Sequence, residues 1–129
     1  MVATGAATTI GRTIDGVPIR FDVQGVGDIA LVFVHGWCCN RNYWNSQVDH
    51  FTSEYTVVAL DVAGHGASGR RRMKWAVSSF GEDIVSVVEQ LELEKVVLIG
   101  HSAGAQWIVE AARRLSNAVI GLVGVGRLA

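Results

Sequence analysis

Val96-Val97-Leu98-Ile99-Gly100-His101-Ser102-Ala103-Gly104 is the stretch on which the reading of this chain turns. Four apolar residues of strand-forming character run into G-x-S-x-G, and helical spacing begins at about Ala103. A serine on so sharp a strand-to-helix turn is pushed out at the end of the strand. The glycines two residues to either side leave room for backbone that a side chain would strike. The first amides of the following helix point at the same spot, where the helix dipole favours a developing negative charge. Ser102 is therefore the predicted nucleophile, and Ala103 N–H a predicted oxyanion donor. In a chain with 15 glycines so short a pattern can arise by chance, so its surroundings must decide.

Two further places agree. Ala30-Leu31-Val32-Phe33-Val34 reads as a buried strand ending in His35-Gly36-Trp37, which resembles the place where α/β hydrolases leave their third strand to supply an oxyanion-hole amide; that resemblance implies Trp37 N–H as the second oxyanion donor. Thr56-Val57-Val58-Ala59-Leu60 reads as another, ending in Asp61-Val62-Ala63-Gly64-His65-Gly66-Ala67-Ser68. Three signatures in order, each at the carboxyl end of an apolar strand, resemble the α/β-hydrolase superfamily, in particular its esterase, lipase and cofactor-free perhydrolase branches. The resemblance runs from about Thr8 to Val125 and matches the amino-terminal part of that fold, through strand six. It implies a truncated α/β-hydrolase fold in one domain over 1–129, a mostly parallel sheet of about six strands with an antiparallel N-terminal hairpin and helices on both faces. A serine rather than an aspartate at the elbow implies acyl transfer, on a small ester substrate, with no metal and no organic cofactor.

The rest of the chain fits an alternation of strands and helices. Thr8 to Ile14 and Val17 to Val23, joined at Asp15-Gly16, carry a hairpin signal. Arg41 to Phe51 places Trp44, Val48 and Phe51 on one helical face. A second helix shows Phe80, Ile84, Val87, Val88 and Leu91 at helical spacing, opened by a Ser79-x-x-Glu82 capping box. A third carries Ile108, Ala111, Ala112 and Leu115, and Val119 to Val125 reads as a buried sixth strand. In the family's strand order this last strand would expose an unpaired ladder, which together with a mean hydropathy of +0.31 predicts a homo-oligomer, joined through that edge or by exchange of elements.

Composition narrows the partners. A net charge of −1 gives no pull toward nucleic acid, and no stretch reaches the roughly 20 apolar residues of a membrane span. Arg70-Arg71-Arg72-Met73-Lys74-Trp75 is expected to be a solvated loop. Adjacent Cys38 and Cys39 give no disulfide framework and are expected to pack as small apolar residues in a reducing cytoplasm. Met1 to Arg12 lacks the pattern of a secretory signal.

The proton-transfer machinery is harder to find. The superfamily order is serine, acid, histidine. After Ser102 this chain holds one acid, Glu110, and no histidine. His101 is expected to leave the turn on the far side and pack, and His50 lies at the end of the first helix. His35 and His65 fall at the carboxyl end of the sheet and are the candidates for a substitute base, with Asp61 as partner of His65. Two functions follow: a serine esterase for short-chain acyl esters, or a non-catalytic hydrolase core serving as an oligomerising or small-molecule-binding protein.

Overall fold

The computed structural model describes residues 7–126. The expectation for Met1 to Arg12 lies in part outside them. Nine elements follow one another: β1 (Ala7–Arg12), β2 (Pro18–Gln24), β3 (Ala30–Val34), α1 (Asn45–Phe51), β4 (Thr56–Leu60), α2 (Val77–Gln90), β5 (Val96–His101), α3 (Ala103–Arg114) and β6 (Val119–Val125). The six strands form one sheet in the order β1-β2-β4-β3-β5-β6. β1 and β2 pair antiparallel, as do β2 and β4, and the remaining pairs are parallel. This is the expected hydrolase-type sheet with its amino-terminal hairpin.

The central strands are apolar on both faces because both faces are covered. Val32, Val34, Val58, Leu60, Val96 and Leu98 point toward α2 and α3, where Ile84, Val87, Val88, Trp107 and Ile108 complete one core. Leu31, Phe33, Val57, Ala59 and Ile99 point the other way, against Trp44 and Val48. α1 is shorter than expected, since Arg41–Trp44 winds as a separate 3-10 turn ahead of it.

Four expectations are corrected. The hairpin turn occupies Thr13 to Gly16, with Gly16 N–H donating to Thr13 O and Gly16 at φ 82°, so the strands stop short of Ile14. A left-handed glycine in the third loop position matches strand twist better than the tighter two-residue turn. α2 begins at Val77, so Ser79 is its third residue and not its cap; Ser79 Oγ accepts from Ala76 N–H. The side chain of Arg72 is only 1% exposed, pairing with Asp83 and Asp15 and lying over the Trp75 and Phe80 rings. A buried carboxylate needs such a partner, and a linear reading of the basic run does not reveal it. β6 is an edge strand and not a buried one: Ile120, Leu122, Val123 and Val125 are exposed.

Candidate active site

Register brings the three signatures together. Val34 of β3 pairs with Leu60 of β4 on one side and Gly100 of β5 on the other. The residues that follow, His35, Asp61 and His101-Ser102, thus leave the sheet at one level, beside the point where the chain crosses over β3. No single segment encodes that meeting; parallel pairing produces it.

Ser102 sits between β5 and α3 with φ 55° and ψ −116°, a conformation that side-chain-bearing residues rarely adopt. Its N–H donates to Val125 O at 2.9 Å, so the end of β6 braces the turn. The two glycines are sterically required. A Cβ on Gly100 would collide with Gly104 O, and one on Gly104 would come within 2.6 Å of His35 O. Ala103 is the first residue of α3, where no intrahelical carbonyl reaches its N–H. Gly36 lies against the elbow, for a Cβ there would stand 3.3 Å from Ser102 Cβ. Trp37 follows immediately, its ring half out in solvent and edge-on to His65, Phe80 and Trp107.

The candidate bases fare differently. His35 is fully buried, its Nδ1–H donating to Gly36 O at 2.8 Å while Nε2 accepts Val62 N–H at 3.2 Å. Burial holds its imidazole below the ordinary histidine value. With both nitrogens engaged, His35 fastens the β3 loop to the β4 loop and has no lone pair for a substrate proton. Asp61 is not the partner of His65. Its carboxylate takes Arg41 N–H at 2.7 Å, Arg41 Nη1 at 2.5 Å and Ala67 N–H at 2.9 Å. The His65 ring instead donates from Nδ1 to Ala63 O at 3.0 Å, which leaves Nε2 as its acceptor. His101 turns away as expected, stacking on Tyr43 at 4.5 Å, and its Nδ1 is buried without a partner among the described residues.

Other residues shape the site without having been singled out. Asp83, buried in α2, accepts Ala63 N–H at 3.0 Å, and Arg70 donates to Gly64 O and Gly66 O, so two side chains tie down the 61–68 turn. Burial raises the Asp83 carboxyl above the usual carboxylate value, against the pull of Arg72. Cys38 is exposed at φ 65° and Cys39 partly so, contrary to the packed expectation. Among the described residues no cluster of three or more His, Cys, Asp or Glu could hold a metal ion.

This geometry is that of a known family: residues 29–127 match the model of the α/β hydrolase fold, and the chain belongs to that family. It is 32% identical over 118 residues to a dihydrolipoyllysine-residue acetyltransferase component of an acetoin cleaving system from Cupriavidus necator, covering 88% of this chain and 32% of the relative. A bifunctional esterase/perhydrolase from Acinetobacter calcoaceticus is 33% identical over 107 residues, covering 81% and 39%. An esterase from Exiguobacterium antarcticum superposes with a TM-score of 0.86 at 26% identity, over 92% of this chain and 44% of its own. The chain thus spans about 30 to 40% of the length of the curated relatives it matches.

Proposed function

We infer that the chain carries the nucleophile and oxyanion half of a serine hydrolase acting on short-chain carboxylic esters. Ser102 Oγ attacks the ester carbonyl as its proton passes to a base, and the tetrahedral oxyanion rests on the Trp37 and Ala103 amides. Collapse releases the alcohol, which takes up that proton, and leaves an acyl-serine; water then adds, releasing the carboxylic acid and restoring the hydroxyl. The observation that carries this reading is the left-handed Ser102, a strained conformation held in place at the head of α3. Esters are the substrates named for two of the relatives, which supports the class.

A second reading, an assembling or binding core without turnover, draws support from two observations. Both nitrogens of His35 are engaged, and β6 presents exposed apolar residues along an edge. With no base the oxyanion site and binding alone would give a rate about 10³ to 10⁴ over water. Hydrolysis of p-nitrophenyl acetate and butyrate beside the Ser102→Ala variant separates the two. Repeated turnover that falls to background in the variant supports the hydrolase; equal slow rates in both proteins, with no labelling by a fluorophosphonate, overturn it.

A further inference from the structure

Ester cleavage does not account for the cavity beside Trp37. It measures about 350 Å³ and is lined by Trp37, Cys38, Gly64, His65, Arg70 and Trp75. It opens one residue from Gly36, the glycine against Ser102. Beside Cys38, Gly64 and the His65 imidazole, its walls include two indole rings, which offer apolar faces, and a guanidinium.

The guanidinium is held in position and keeps donors in reserve. Arg70 donates from Nη1 to Gly64 O and from Nη2 to Gly66 O, and two bonds out of five N–H groups leave three. It forms no ion pair with a described carboxylate, and Asp15, which lines the adjoining hollow with it, is bound by Arg72. Arg71 and Lys74 likewise form no ion pair among the described residues, and with Arg70, Arg72 and Asp15 they border an adjoining hollow of about 590 Å³. That hollow therefore holds more cationic than anionic side chains, four against Asp15, although the chain carries a net charge of −1. A planar guanidinium held by two backbone carbonyls in a hollow that Trp37 and Trp75 also line is suited to a carboxylate that arrives on a short apolar stem.

The geometry points to an ester whose acyl chain ends in a second carboxylate, a short dicarboxylic monoester, with its methylenes between Trp37 and Trp75 and its free carboxylate on Arg70. This rests on the hydrolase reading of Ser102 for the cleavage step and on the cavity alone for binding.

The test compares p-nitrophenyl hydrogen glutarate with p-nitrophenyl butyrate on the full chain, and follows glutarate binding to Ser102→Ala by tryptophan fluorescence. At low salt the acidic ester is expected to be favoured in kcat/KM by about tenfold, a preference that shrinks as added salt screens the charge. In Arg70→Met the ratio is expected to fall to about one. Because Arg70 also braces the 64–66 turn, salt dependence in the wild type provides a readout that needs no substitution. Equal rates on the two esters, with no saturable glutarate quenching, overturn the inference and leave the hydrolase intact. Glutarate binding that is lost in Arg70→Met/Ser102→Ala, with neither ester cleaved faster than by Ser102→Ala, supports the site and overturns the hydrolase reading instead.

Discussion

Ser102 and His35 are opposite cases at the scale of single residues. Ser102 holds a positive φ that costs of order 1–3 kcal/mol for a residue with a side chain, and the bond from its N–H to Val125 O helps hold it there. Glycine adopts that conformation freely, so Ser102→Gly is expected to raise stability by about 1 kcal/mol while removing the nucleophile, read as a higher urea midpoint. Ser102→Ala keeps the strain and should leave the midpoint nearly where it was. His35 is buried neutral, and its folded-state pKa lies below the ordinary value of 6.5. As pH falls through 6.5 the unfolded chain takes up a proton that the folded chain resists. Stability contributed at neutral pH is therefore lost on acidification, down to the folded-state pKa. His35→Gln, which keeps one donor and one acceptor, should flatten that slope between pH 7.5 and 5.5 in denaturant titrations; a slope identical in both proteins would exclude His35 as its source.

Between elements, the decisive contact is the one that fastens α2 to the turn after β4. Asp83 meets Arg72 at 2.6 Å and Ala63 N–H at 3.0 Å, all inside the fold. Removing one member of such a pair leaves a buried charge without its counterpart, so Arg72→Met is expected to cost about 3 kcal/mol, measured by urea unfolding. Adding Asp83→Asn removes that charge and should restore part of the loss, and a purely additive double variant would argue against coupling. The basic run 70–75 gave no sign of this from its composition, because pairing depends on which helix face comes round to meet it. The core stripes of α2 and α3, by contrast, were legible from spacing, since residues three and four apart share a face wherever the helix lies.

For the whole molecule, the open question is what meets β6. Its outer ladder is unpaired among the described residues, and four exposed apolar side chains lie along it. A strand edge of this kind is a template for another chain. Self-association is expected at micromolar concentration, and Leu122→Lys/Val123→Lys should shift the mass measured by light scattering toward the monomer. A wild type that remains monomeric would exclude pairing through this edge.

By itself, the sequence determined the order of the strands and main helices, the elbow and its required glycines, and most of each apolar stripe, though not the core residue Trp107 of α3. These are local consequences of spacing and sterics. The tertiary structure decided which histidine nitrogens are already engaged, which acid Arg72 neutralises, and that Asp61 serves Arg41 rather than His65. Hydrogen-bond partners on different elements depend on strand register and helix rotation, which exist only once the sheet has formed.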